Sequence, residues 1–119
     1  MEMFTVYHLC DLRPAEQRRA EHNFEILDIQ HKAELHVASK IFKNSTATAA
    51  YMKAAEVTAG CKDQAFSLTN NIEQAWTLNK QVKATGLSNR STSVGDVVLD
   101  SLGIAWMCDF SGWKKLHGF

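Results

Sequence analysis

The sequence predicts an α+β fold in a single domain: a mainly antiparallel sheet of about four strands, packed by one long helix, continuous or broken, and one short helix. Three observations predict it. The hydrophobic period switches between two and about 3.6 along the chain. Residues 15–42 contain neither glycine nor proline and carry apolar side chains at helical steps. The last third holds two apolar runs joined by a turn, "DVVLDSLGIAWMCDF". A length of 119 residues suits one domain with its own core. Residues 1–60 are expected to form a strand, the long helix and a second strand, and residues 61–119 the short helix, a polar loop and a C-terminal hairpin.

The opening "MFTVYHL" alternates Phe4, Val6 and His8 against Thr5, Tyr7 and Leu9, and its β-branched and aromatic residues favour a strand. "DLRPAEQ" ends it, with Pro14 suited to a first helical turn and Glu16 near the positive helix end. Ala20, Phe24, Leu27, His31, Leu35, Ala38 and Phe42 then recur at steps of three and four, as on an amphipathic helix or two in series. A second stripe, Ile26, Ile29, Ala33, Val37 and Ile41, widens the apolar face beyond one groove. This second stripe is expected either to meet a second copy of the chain in a homodimer or to be wrapped by loops. "KNSTATAA" closes the helix, and "AYMKAAEVTAG" reads as a strand with Tyr51, Lys53, Ala55 and Val57 on one side.

"CKDQAFSLTNN" after Gly60 reads as the short helix, packed through Ala65, Phe66, Leu68 and Thr69 and ended by Asn70 or Asn71. Trp76 follows in a loop or a continuation. "LNKQVKATGLSNRSTS" is the longest loop candidate, and loops of that length are functional or mobile. In the hairpin, "DSLG" places Gly103 where a positive φ is needed, and Trp106, alternating with Ile104 and Cys108, is assigned to the core. Trp113 follows Gly112 in a turn and is expected to be partly exposed, a position suited to anchoring a partner.

Thirteen Lys and Arg balance thirteen Asp and Glu, which argues against non-specific binding of duplex nucleic acid through an overall basic field. No apolar run reaches the roughly 18 residues that cross a bilayer, and the N-terminus lacks a signal-peptide pattern. No membrane partner and a cytoplasmic location in a bacterial host cell are therefore expected. Cys10, Cys61 and Cys108 are odd in number and lack CxxC spacing, so they read as reduced, buried thiols.

No catalytic constellation stands out, and the chain is expected not to be an enzyme and to need no cofactor. His8, His22, His31, His36 and His117 are scattered. The histidines of "HKAELH" lie five apart, about 140° around a helix, whereas a helical metal pair lies four apart. No metal site is expected. A nucleophilic Cys61 or Cys108 has no local signature, and "EQRRAEH" mixes both charge signs as a solvated face does.

The polar string "RSTSVGDVV" allows two readings. Gly95 and Asp96 suit a strand entry, Ser91, Thr92 and Ser93 can satisfy loop backbone groups, and Arg90 can pair with Asp96 or Asp109. Alternatively Arg90 and the three hydroxyls form an anion cradle beside Trp76 and Asn79, although the glycine spacing and lysine of a P-loop are missing. The order "AFSLTNN", Trp76, Asn79, "RSTSVGDVV" and "GIAWMCDFSGWKKL" resembles a group of small phage and mobile-element accessory proteins with an "AF..TN", W, N, "RS.SVGDV", "G(F/W)..L" pattern. The matching positions are Ala65, Phe66, Thr69, Asn70, Trp76, Asn79, Arg90 to Val97, Gly112, Trp113 and Leu116. The resemblance covers the C-terminal half and implies a phage-type accessory protein. The resulting expectation is a protein that binds a host macromolecule, foremost a host protein that it inhibits or redirects, through Trp76, Asn79, Arg90, Ser91, Thr92, Ser93 and Trp113. The alternative is nucleic-acid or nucleotide binding through Arg90 to Ser93, aided by Lys80 or Lys83.

Overall fold

The computed structural model describes residues 1–44, 49–72 and 74–116. Six antiparallel strands form one sheet in the order β3-β2-β1-β4-β5-β6, where β1 is Glu2–Asp11, β2 Ala49–Ala59, β3 Val82–Ala84, β4 Val97–Leu99, β5 Ala105–Asp109 and β6 Gly112–Lys115. Four short helices accompany it: α1 (Ala15–Ala20), α2 (Phe24–Lys32), α3 (Leu35–Asn44) and α4 (Lys62–Leu68). The α+β class is correct, but the expected four-stranded sheet with one long helix is not. Part of "KNSTATAA", residues 45–48, and His117 lie outside the described residues.

The long helix is broken twice without glycine or proline. Glu21 takes an extended backbone (φ −134°, ψ 129°) after α1. The Asn23 side chain then accepts from the Glu25 and Ile26 N–H groups and caps α2, satisfying donors that would otherwise face no carbonyl. Ala33 adopts the left-handed conformation (φ 48°, ψ 51°) and ends α2. These breaks fold α2 and α3 into a pair on one face of the sheet. There Ile26, Ile29, Ala33, Ala38 and Ile41 are buried with Leu9, Val97, Met107 and Leu116. Four of the five residues expected to meet a second copy, Ile26, Ile29, Ala33 and Ile41, thus sit inside the chain's own core, and Val37 packs partly buried against it. The width of the stripe reflects a kinked pair of helices covering a twisted sheet.

The short helix lies on the opposite face, where Ala65 and the Trp76 of a 3-10 turn (Trp76–Leu78) pack with Phe4, Val6, Ala54, Val57 and Val98. The two central strands, β1 and β4, therefore bury side chains on both sides, Leu9 and Val97 on one and Phe4, Val6 and Val98 on the other. The two strands absent from the expectation are the sheet's edges. β3 is three residues within a polar segment, hydrogen-bonded to Ala55–Val57, and β6 is "GWKK" beside Trp106–Asp109. Short, lysine-bearing edges protect a sheet from further pairing but leave little periodicity to read.

Trp106 is only partly buried, not a core residue. Its Nε1–H donates to Asp100 Oδ2 at 3.0 Å and Lys62 Nζ lies 4.3 Å from its ring centroid. The core positions of β5 are Ala105, Met107 and Cys108. Of the three thiols only Cys108 is buried; Cys61 is exposed at the start of α4. Gly103 (φ 82°) turns the hairpin as expected. Gly95 (φ 94°) enters β4, and a Cβ there would lie 2.8 Å from Ile29 Cγ2. Gly95→Ala is therefore expected to destabilise by about 2–3 kcal/mol, combining left-handed strain with overpacking. The urea midpoint measures this, and an unchanged midpoint would show that α2 yields without cost.

Candidate functional site

The polar string singled out in the sequence forms a network between the α4 end, residues 85–96 and β1. Its centre is Asp96, whose side chain is 1% exposed. The carboxylate accepts from the Leu9 N–H at 2.8 Å and the Ser93 N–H at 2.9 Å. Arg90 closes on it in two-pronged fashion, Nη1 to Oδ2 at 2.6 Å and Nη2 to Oδ1 at 2.7 Å. Arg90 Nη2 also donates to the Leu9 carbonyl at 3.0 Å, and Nη1 to the Ser91 carbonyl at 3.0 Å. Asp109, the other expected partner, faces Lys114 Nζ at 3.6 Å instead. Planar guanidinium and carboxylate match in this geometry, which gives direction as well as strength.

A second branch starts at His8, 1% exposed in β1. Its Nδ1 lies 2.8 Å from Ser88 Oγ and its Nε2 lies 2.9 Å from Thr92 Oγ1. Thr92 Oγ1 donates to Thr69 Oγ1 at 2.7 Å, and Thr69 Oγ1 donates to the Ala65 carbonyl at 2.9 Å. Trp76, fully buried, makes an edge contact with the His8 ring. Its Nε1–H lies between the Asn89 and Arg90 carbonyls at 2.9 and 2.8 Å. Ser91 Oγ accepts from the Asn71 N–H, and Asn79 Nδ2 donates to the Leu68 carbonyl. Trp76, Asn79 and Arg90 to Ser93 are thus brought together, but their polar groups mostly hold one another. Trp113 shares no hydrogen bond with them: its Nε1–H donates to Asp63 Oδ1 at 2.8 Å, its ring meets the edge of Phe66, and it packs against the apolar cluster that holds Trp76.

Burial pulls the His8 pKa below its ordinary 6.5; the Asp96 charge opposes that shift and the Arg90 charge adds to it. Burial, assisted by Asp96, Asp109 and Asp63, pushes the Cys108 thiol up to about 12. That thiol remains protonated near neutrality and is a poor nucleophile. Among the described residues, no three His, Cys, Asp or Glu side chains gather as a metal ion would need. No described helix is long and apolar enough to cross a membrane.

Two open clefts flank residues 70–79. One, about 680 Å³, is lined by Asn71, Ala75, Thr77, Thr85, Gly86 and Asn89, with Ala84 at its wall. The other, about 490 Å³, is lined by Gln64, Ser67, Asn70, Ile72, Gln74 and Asn79, with Leu68 beneath. Ile72, Leu78 and Leu87 are large apolar side chains exposed in this region. Sequence reasoning missed His8, set aside as one scattered histidine among five. Its position inside the apolar alternation "TVYHLC" was the available signal, since a polar side chain there must find a buried partner.

Arg90→Ala is expected to lower stability by about 3 kcal/mol, because it leaves the buried Asp96 charge without its counter-ion; a loss below about 0.5 kcal/mol in urea unfolding would instead assign Arg90 to a surface role. His8 imposes a pH dependence of known sign. Its folded pKa lies below 6.5, so the unfolded chain takes up the proton first. The stabilisation is whole above 6.5, falls as the pH drops through 6.5 towards the folded value, and levels off below it. The difference in urea midpoint between wild type and His8→Gln should shrink on acidification over that range, and a difference that grows would reverse the assigned shift. Comparison with protein-family models, with curated proteins and with solved structures finds no match to this chain.

Proposed function

We propose that this is a phage-type accessory protein that acts by binding a host protein and inhibiting or redirecting it, and that the contact surface is the one around residues 70–89. The observation that carries the reading is the character of that surface. Ile72, Leu78 and Leu87 are exposed beside two clefts whose polar lining is amide and hydroxyl, from Gln64, Asn70, Asn71, Gln74, Asn79 and Asn89 among others. Neither cleft is lined by a described lysine or arginine. Apolar anchors beside clefts of neutral polar lining suit a protein partner, whereas a phosphate backbone demands cations, and the exposed Lys80 and Lys83 of this segment line neither cleft. The phage-type origin and the host rest on the sequence resemblance.

The nucleic-acid alternative has less support. Arg90 is already engaged by Asp96 and the Leu9 and Ser91 carbonyls, and Thr92 is buried against His8 and Thr69. The Trp113 Nε1–H is engaged by Asp63, and Trp113 lines neither cleft.

The test is affinity capture from nuclease-treated bacterial lysate, comparing wild type with Leu78→Asp and Leu87→Asp, followed by reconstitution with the purified partner. Both leucines are exposed, so either change should alter the unfolding free energy by no more than about 0.5 kcal/mol. Each should weaken a reconstituted complex by tenfold or more, corresponding to about 1.4 kcal/mol. A partner retained equally by both variants, or only nuclease-sensitive material, would refute the surface assignment.

A further inference from the structure

The direction of each hydrogen bond in the His8 branch follows from the chain of donors. The Thr69 hydroxyl gives its proton to the Ala65 carbonyl, which can only accept. The Thr92–Thr69 bond of 2.7 Å therefore runs from the Thr92 hydroxyl to Thr69 Oγ1. With the Thr92 proton so used, Thr92 Oγ1 accepts from His8, and the imidazole carries its proton on Nε2. A neutral imidazole protonated at Nε2 has its lone pair on Nδ1. Ser88 Oγ lies 2.8 Å from that nitrogen, so the serine hydroxyl is the donor. The result is a serine, half-buried at the surface, whose proton points at a base that is itself oriented by a third side chain.

We infer that Ser88 is a nucleophile, with His8 Nδ1 as its general base and Thr92 as the residue that positions the imidazole. Nucleophile, base and orienting group within hydrogen-bond reach are the arrangement that activates a hydroxyl. The ligand class is a small activated acyl or phosphonyl donor reaching the half-buried Ser88 from solvent; Gly86 and Asn89, its near neighbours in sequence, line the 680 Å³ cleft. With an ester, Ser88 Oγ bonds to the carbonyl carbon and its proton passes to Nδ1. The carbon–oxygen bond of the leaving alcohol breaks, and that alcohol takes the proton from Nδ1. The charged groups facing the imidazole are Asp96, with Oδ2 at 3.9 Å from Nε2, and Arg90 beyond it. The carboxylate favours the transient imidazolium. Burial keeps the ring neutral, and therefore able to accept, to a pH below 6.5. This chemistry shares the 680 Å³ cleft with the binding surface proposed above but depends on neither Leu78 nor Leu87, so the two are tested separately.

The test uses a fluorophosphonate ester on the intact chain, read by whole-protein mass and peptide mapping. Ser88 Oγ would bond to phosphorus, fluoride would leave and His8 would receive the proton. One adduct is expected, mapped to Ser88, forming at least tenfold faster than with Ser88→Ala at any serine. Its rate should follow the neutral fraction of His8, with a midpoint below 6.5. Thr92→Val, which removes the acceptor for Nε2–H, should slow labelling severalfold and shift that midpoint while leaving Ser88 as the labelled residue. The mapping in wild type needs no variant to fold. Absence of an adduct on the folded protein, an adduct elsewhere, or a rate that goes on climbing about tenfold per pH unit above neutrality, where the neutral imidazole no longer increases, would each overturn the assignment.

Discussion

A single buried carboxylate sets the terms for this fold. Asp96 is inside the protein at the entrance to β4, and an isolated charge there would cost several kcal/mol. The surrounding chain answers with four donors: the Leu9 N–H from β1, the Ser93 N–H from its own turn, and two nitrogens of Arg90. None of these partners can be removed without leaving the charge short. Arg90 and Ser93 of the polar string before β4 thus complete a shell around Asp96, with Arg90 bridging back to the Leu9 carbonyl.

The same residue ties the layers together. Its backbone pairs with β5, Cys108 N–H donating to the Asp96 carbonyl at 2.8 Å and Gly95 N–H to the Cys108 carbonyl at 2.9 Å. From the helical face, the Tyr51 hydroxyl donates to the Gly95 carbonyl at 2.6 Å, and Ile29 of α2 presses on Gly95. From the other face, Trp76 and Thr92 join the loop to α4. A long segment of irregular backbone is thereby hydrogen-bonded to both sheet faces. Buried polar networks of this kind restrict the chain to one arrangement when every member is satisfied. Among the described residues every buried polar side-chain atom has a hydrogen-bond partner.

The parts of the fold that were legible in the sequence are those whose signal lies in a local period. β1, β2, α4 and the β4–β5 hairpin all have continuous apolar patterns or a glycine turn, and the Arg90–Asp96 pair was one of two named options. The long helix misled because Asn23 and Ala33 are compatible with helical periodicity. Nothing local distinguishes a cap from an interior asparagine, and an alanine reaches the left-handed region only because tertiary packing holds it there. Trp106 was misplaced because alternation says which residues share a face and does not say how deep that face is at its edge. The buried partners of Trp76 and Thr92 were not legible because polar and aromatic groups at irregular spacing gain meaning only from partners far away in sequence.

That distinction changes what the C-terminal pattern signifies. The residues that carry the resemblance include Thr69, Trp76, Asn79, Arg90, Thr92, Gly95 and Asp96. Each holds backbone or a buried side chain in place, or, for Gly95, leaves room for Ile29. A pattern made of such residues specifies how the chain folds, and fold alone does not specify activity. The exposed Ile72, Leu78 and Leu87 fall outside it, as do His8 and Ser88. Chains that share the pattern should then share the Asp96-centred frame while differing at residues 70–89 wherever the frame does not constrain them. Substitution at those unconstrained positions leaves the buried charge and its four donors intact, so they can vary without loss of the frame.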